Sequence, residues 1–259
     1  MWIDSHCHMD NILLCQNSEK VINASLTEGV ERIIIPSVNK ENFDKVISIA
    51  AKHKQCAYAF GFHPMYLSSF ENSDFEVLEY YLLNNNSVAV GEIGLDLFAQ
   101  KKNQALQEGV FLSQLKIAKN FDLPVIMHVR GAIDLVLKNL RKIKVRGGIA
   151  HAFNGSFQQA EQLIELGFKL GFGGAMTYPR AKHIQKLAKE LPIEAIVLET
   201  DSPDMPPAWL VNGESNEPKE LGKIAEFFCH LRGAEPLKTA DIIRRNTIEA
   251  IPKLAKLYT

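Results

Sequence analysis

The feature that most constrains this chain is an alternation. Short apolar stretches rich in β-branched residues recur through its 259 residues, and most are followed by a longer segment with helical spacing. The strand-like stretches lie at 2–8, 32–38, 56–63, 87–95, 123–130, 147–153, 167–177 and 195–201. Pro124 stands at the start of the fifth, where a strand tolerates a missing donor. Between the fourth and fifth, Leu106, Val110, Leu115 and Ala118 recur close to the helical period. Strands alternating with helices build βαβ units and a parallel sheet. Eight such units predict an α/β fold, a closed (β/α)8 TIM-like barrel forming a single domain over 1–259. An open doubly wound sheet is the other arrangement, but no Gly-x-Gly-x-x-Gly loop follows the first strand. Gly171, Gly173 and Gly174 fall within a β-like stretch and mark close backbone approach or a barrel bend.

Composition narrows the function classes. With 29 Lys plus Arg against 30 Asp plus Glu, the net charge is −1, so the molecule as a whole does not attract nucleic acid. If it handles phosphates, metal ions or a local basic patch must supply the positive charge. An apolar fraction of 46% excludes disorder as the main theme. Cys7, Cys15, Cys56 and Cys229 form no Cys-x-x-Cys pair, which fits a reducing compartment rather than a disulfide scaffold. Asp4, His6 and His8 stand where a signal peptide needs its apolar stretch, and no apolar run reaches the length of a membrane span. These features predict a cytoplasmic protein without a membrane partner, a monomer or a small oligomer.

The chemistry sits in polar residues at the ends of apolar stretches. His6 and His8 are two apart, and on a strand such residues share a face. Glu92 follows Val88-Ala89-Val90-Gly91, His128 follows Val125-Ile126-Met127, His151 follows Ile149-Ala150, and Asp201 closes the eighth stretch. Ionisable groups are rarely buried without partners. In a barrel the strand ends converge on one face, where active sites lie. Imidazole favours transition metals and carboxylate is permissive, so Zn²⁺, Mn²⁺, Fe²⁺ and Mg²⁺ all suit the set. Six candidate ligands exceed what one catalytic ion needs and suit two divalent ions bridged by a carboxylate such as Glu92. Asp201 is placed both to ligate and to take a proton from water, so Asp201 and Glu92 are the candidate catalytic residues.

Other residues carry weaker expectations. His63, in Gly61-Phe62-His63-Pro64, is a seventh ligand, a loop-orienting histidine or a substrate contact, the last being favoured. Arg130 and Asn154 are candidate substrate contacts, with Arg180, Lys182, Tyr178 and Trp209 as further residues for the same mouth. Glu199, two before Asp201, is a candidate partner for a ligand histidine. Cys7 alternates with the two histidines and so points into the core. His53, His183 and His230 fall in helix-like segments and read as surface residues. Segment 201–218, with Pro203, Pro206, Pro207, Gly213 and Pro218, reads as a long loop, followed by helices at 219–231 and 239–257.

Taken in order, these motifs resemble the TatD family of metal-dependent hydrolases, also called TatD deoxyribonucleases. The likeness runs through Asp4-Ser5-His6-Cys7-His8, Gly61-Phe62-His63-Pro64, Gly91-Glu92-Ile93-Gly94-Leu95-Asp96, Pro124 to Arg130, His151 to Ser156, Glu199-Thr200-Asp201-Ser202-Pro203 and Asn216-Glu217-Pro218. The resemblance implies a TIM-like barrel with a two-metal centre. It implies that His6, His8, Glu92 and Asp201 hold one ion, and that Glu92, His128 and His151 hold the other. It also implies hydrolysis of DNA phosphodiesters, in some members stepwise from a 3′ end. Two positions depart from the family pattern: Asp204 and Leu97 stand where members commonly carry an aromatic residue, and both are placed to line the mouth. The leading expectation is therefore a two-metal phosphodiesterase acting on DNA ends. Hydrolysis of a carbonyl or small-molecule ester or amide on the same centre is the alternative.

Overall fold

A computed structural model of the protein describes residues 1–98, 103–211 and 214–257, so Gly213 lies outside the described residues. Among the described residues, eight strands follow one another: β1 (Trp2–Asp4), β2 (Val30–Pro36), β3 (Cys56–Ala59), β4 (Val90–Asp96), β5 (Val125–Arg130), β6 (Gly148–Ala150), β7 (Phe168–Phe172) and β8 (Ile196–Leu198). Each overlaps one strand-like stretch of the sequence. Helices α1 (Ile12–Cys15), α2 (Ser18–Thr27), α3 (Phe43–Lys52), α4 (Asp74–Asn84), α5 (Gln104–Asn120), α6 (Ile133–Lys142), α7 (Phe157–Glu165) and α8 (Lys182–Glu190) fill the intervals, and α9 (Leu221–Arg232) and α10 (Pro236–Ala250) follow the last strand.

All strand pairs are parallel, in one run from β1 to β3 and another from β4 to β8. Two seams join the runs into a barrel. At the first, Phe60 bridges Val90 and Gly91 N–H donates to the Phe60 carbonyl at 2.9 Å. At the second, Ser5 N–H donates to Leu198 O at 3.1 Å and Asp201 N–H to His6 O at 2.9 Å. Among the described residues, these bonds pair the outer strands of the two runs with one another.

The period of two along each strand sorts the core into two shells. Ile34, Ala59, Ile126, Ile149 and Val197 point into the barrel, where Ile251 and Leu254 from the C-terminal turn plug one end. Their outward neighbours Ile33, Ile35, Val125, Met127, Leu170 and Leu198 pack under the helices with Val110, Leu115, Val136 and Ile224. Leu106, expected on the buried face of α5, is 43% exposed, because the helix turns that position to solvent. Local signals fix the helix ends. Ser156 and Gln159 form a reciprocal capping box at α7, the Glu235 carboxylate accepts from Leu237 and Lys238 N–H at α10, and Gly233 ends α9 at a left-handed φ of 62°.

Candidate metal centre

The strand alternation that buries the inner shell also delivers the polar residues. On β5, inward Ile126 is followed two residues later by His128; past β6, Ile149 is followed by His151; past β8, Val197 is followed by Glu199. On β4 the pairing register slips between Val90 and Ile93, so that Val90, Ile93 and Leu95 all face outward while Glu92 points in. Glu92 therefore lies within β4 rather than at its end, and the strand continues to Asp96. His6 and His8 lie beyond β1 in an extended segment. Ser5 and His8 N–H donate to Leu198 and Ser202, and Cys7 N–H donates the other way to Ile34. The period of two thus survives without a regular strand, and Cys7 is buried with its Sγ towards the Ser202 carbonyl.

Glu92 stands at the middle. Its two carboxylate oxygens face different partners. Oε2 lies 3.2 Å from His6 Nε2 and 3.4 Å from His8 Nε2. Oε1 lies 3.1 Å from His128 Nδ1, 3.3 Å from His151 Nε2 and 3.3 Å from His63 Nε2. Asp201 Oδ1 joins the first group, 3.5 Å from His6 and 3.7 Å from His8. The stacked rings of His6 and His151, 3.9 Å between centroids, connect the two groups. Asp201 holds a left-handed φ of 54°, a conformation that non-glycine residues adopt at a cost and that is frequent at functional sites.

Behind these side chains stands a layer of fixed polar groups. His128 Nε2 meets Asp96 Oδ2 at 3.1 Å, and His151 Nδ1 approaches Glu199 Oε1 at 3.4 Å. Glu199 thus stands behind a histidine of the cluster, as its spacing suggested; it also accepts from Ala152 N–H at 2.6 Å. Asp96 had no role in the sequence reading, although a position four beyond Glu92 on a strand shares its face. Two buried glutamines on α5 clamp backbone nearby. The Gln107 side chain bonds both N–H and C=O of Asp96, at 2.9 and 3.1 Å. Gln114 bonds both groups of Phe62, at 2.7 and 3.1 Å. His63 Nδ1 accepts from Met65 N–H at 3.2 Å, so a neutral ring carries its proton on Nε2 and donates towards Glu92. At the β1–β8 seam, Asp4 accepts from Thr200 N–H and, at 2.6 Å, from Thr200 Oγ1.

The charges are strongly coupled. Burial alone would raise the Glu92 carboxyl, but His63, His6 and His151 hold it well below the usual range. Burial works to lower His151, yet Glu92, Asp201 and Glu199 carry it well above an ordinary imidazole. His8 is carried to about 9 by Glu92 and Asp201 against the effect of burial, and His128 is raised by Asp96 and Glu92 against the same opposition. His6 and His63 move down, burial being the main cause. Burial pushes Asp4 up to about 8 in spite of its hydrogen bonds from Thr200. A cluster in which carboxylates hold protons on buried imidazoles is one where a divalent cation competes for the same lone pairs.

A cavity of about 930 Å³ opens over the cluster, lined by His8, His63, Glu92, His128, His151 and Asp201, with Arg130, Asn154 and Asp204 at its rim. Leu97 does not line it but packs on the core, and the aromatic surface comes one residue later, where the Arg130 guanidinium lies 4.3 Å from the centre of the exposed Phe98 ring. Arg180, Lys182, Tyr178 and Trp209 are not among the lining residues. Tyr178 Oη instead donates to Pro206 O and Trp209 Nε1 to Glu220, tying down the described segment 201–211. His53 pairs with Ser18 and His183 with the Gly155 carbonyl, away from the site.

The residues fit a metal centre on their own geometry. The ligand atoms of His6, Glu92 and His151, of His6, His8 and Asp201, and of His63, Glu92 and His128 each converge within 4.8 Å. Glu92 Oε2 is buried with no hydrogen-bond donor, since His6 approaches it off hydrogen-bond geometry, and His6 Nδ1 is likewise unpartnered. The profile of the family described as TatD related DNase matches residues 3–252. The chain belongs to this family. With it the chain joins the metal-dependent hydrolases. It is similar to the metal-dependent hydrolase YjjV of Escherichia coli, 36% identical over 249 residues that cover 95% of this chain and 96% of that protein. A metal-dependent hydrolase of Haemophilus influenzae is 34% identical over 96% of this chain and 97% of its own length. The crystal structure of the E. coli YjjV protein, a TatD homologue, superposes with a TM-score of 0.93 over 97% of this chain and 98% of its own. A TatD family hydrolase from Entamoeba histolytica, 19% identical, shares the fold with a TM-score of 0.85 over 96% of this chain and 97% of its own. Among the described residues, no helix is long and apolar enough to cross a membrane.

Proposed function

We propose that this TatD-family chain is a two-metal phosphodiesterase that acts on DNA ends in the cytoplasm, with the whole barrel as one catalytic unit. The observation that carries the reading is the division of Glu92, whose Oε2 faces His6 and His8 while Oε1 faces His128 and His151. In this reading His6, His8 and Asp201 hold one divalent ion with Glu92, and His128 and His151 hold a second with the same carboxylate, as Zn²⁺, Mn²⁺ or Mg²⁺. Such a pair supplies Lewis acidity and an acidified water to a phosphodiester.

The chain's own groups do the rest. Asp201, at the edge of the cavity with 12% of its side chain exposed, takes the proton from the attacking water. The Arg130 fork and Asn154 at the rim bind non-bridging phosphate oxygens and set the strand end over Glu92. His63, with Nδ1 occupied by Met65 N–H, turns its Nε2 proton towards the same place and serves as a donor to substrate rather than as a ligand. Among the described residues the mouth carries Arg130 as its basic side chain, which suits a strand end better than a long internal duplex.

The test uses single-stranded DNA labelled at either end, incubated with metal-replete protein and with Asp201→Ala. Metal-dependent shortening that the variant lacks is expected, and the labelled end that persists gives the polarity. No shortening by protein that demonstrably binds metal would defeat the DNA reading. Asp204 at the rim, whose carboxyl is raised by burial and by Asp201, favours a second reading, since it repels phosphate and tolerates a neutral carbonyl ester or amide. Turnover of such esters without DNA shortening would select it.

A further inference from the structure

The two faces of Glu92 are supported differently. On the Oε1 side each histidine of the second ion's set has a buried carboxylate at its far nitrogen: Asp96 behind His128 at 3.1 Å, Glu199 behind His151 at 3.4 Å. Both carboxylates are almost completely buried and both are held from further out. Asp96 Oδ1 accepts from Phe98 N–H at 3.0 Å, while Gln107 grips its backbone. Glu199 accepts from Ala152 N–H and from Ser5 Oγ. Gly171 on β7 makes room for it, because the nearest atoms a Cβ at that position would meet are those of the Glu199 carboxylate. On the Oε2 side, among the described residues, no carboxylate forms an ion pair with the outer nitrogen of His6 or His8; neither His6 Nδ1 nor His151 Nδ1 has a hydrogen-bond partner, but His151 Nδ1 has the Glu199 carboxylate as an ion-pair partner and His6 Nδ1 has none. There Asp201 faces the imidazoles directly, and Asp10 acts on His8 from farther off without an ion pair.

We infer that Asp96 and Glu199 are positioning residues for His128 and His151 alone, so that the two halves of the centre take up divalent ions by separate means and with separable affinities. A carboxylate behind an imidazole fixes its orientation and tautomer and raises its basicity as a ligand. Both effects reach only the ion bound through His128 and His151. The inference rests on the two-ion reading above and concerns metal uptake, whatever the substrate proves to be.

The experiment titrates the full-length, chelator-stripped protein with Co²⁺, following the visible absorption of the bound ion in competition with a chromophoric chelator. Two binding events are expected from the wild type. Asp96→Asn and Glu199→Gln each weaken one event by about 10–100-fold and shift its absorption band, leaving the other in place. Gly171→Ala meets the Glu199 carboxylate first, so it moves the same event as Glu199→Gln by displacing that carboxylate. His8→Ala removes the other event and leaves the Asp96-dependent one. The unfolding midpoint of each metal-free variant separates loss of fold from loss of positioning, and Gly171→Ala reaches Glu199 by a second route. Equal weakening of both events, or of neither, overturns the inference. A single wild-type event that Asp96→Asn weakens and His8→Ala leaves alone sinks the two-ion reading but keeps the anchors. A single event indifferent to Asp96 sinks both.

Discussion

The Oε1 side of Glu92 and its Oε2 side reach the same result by different construction. His128 and His151 come from β5 and the end of β6, where an inward isoleucine two residues earlier already sets the direction. His6, His8 and Asp201 come from the seam between the first and last strands, beyond the ends of β1 and β8, and are held by crossed backbone bonds rather than by a regular ladder. A regular strand positions a side chain through its period alone. A seam needs added hydrogen bonds, and Asp4, Thr200 and Ser202 supply them: Thr200 Oγ1 donates to Asp4 and receives Ser202 Oγ–H at 2.8 Å. The active face of this barrel is thus part ladder and part knot, with one carboxylate common to both.

Removing the shared residue should break both sides at once. Glu92→Gln keeps the shape but withdraws the charge that both sets of imidazoles face, and we expect hydrolysis to fall by roughly a thousandfold or more. Single-turnover assays at saturating metal read this out, and a loss under about tenfold would mean that Glu92 is not shared. The next effect falls on the ladder side. Gln107→Ala and Gln114→Ala each remove two hydrogen bonds from buried backbone, a loss of about 2–4 kcal/mol apiece. Urea unfolding of the metal-free protein measures it. Gln107→Ala should in addition lower metal affinity through Asp96, and Gln114→Ala should not.

The knot side should be cheaper to loosen. Thr200→Val keeps volume but deletes the hydroxyl between Asp4 and Ser202, for about 1–3 kcal/mol of stability. Its functional signature should be a weakened His6–His8–Asp201 set with the other intact. If Thr200→Val disturbs both sets equally, the two sides are mechanically one and the contrast fails.

Much of this was legible in the residues. Among the described residues, all eight strands follow from the apolar stretches, and six of the residues that meet at the cluster follow from the polar groups at the ends of five of them. The parts that were not legible are those that break a period or hide in one. The register slip before Ile93 leaves no mark in the residue pattern, so Glu92 was expected at a strand end. Gln107 and Gln114 are polar residues on a helix, which composition assigns to the solvent face; only the backbone groups they reach explain their burial. Asp96 sat in a recognised motif without a task, because its partner is a histidine from another strand. Leu97, expected at the mouth, packs on the core instead, because the chain turns just beyond the end of β4 at Asp96.

The smallest predicted effect lies outside both sides, at the rim. Arg130 is exposed and its guanidinium rests on Phe98, a contact worth about 0.5–1 kcal/mol at such a site. In the proposed reading its fork reaches a phosphate without entering the cluster, and so would hold the substrate rather than meet the charge that develops during reaction. Arg130→Ala should therefore raise KM for an anionic substrate by about fivefold with kcat unchanged, a difference of about 1 kcal/mol. Arg130→Lys should restore only part, because a point charge replaces a planar fork. Phe98→Ala should have a weaker effect in the same direction by freeing the guanidinium. Initial-rate kinetics on DNA and on a neutral ester decide the matter. A drop in kcat on both substrates would place Arg130 in the reacting centre, and a KM change confined to DNA keeps it at the rim.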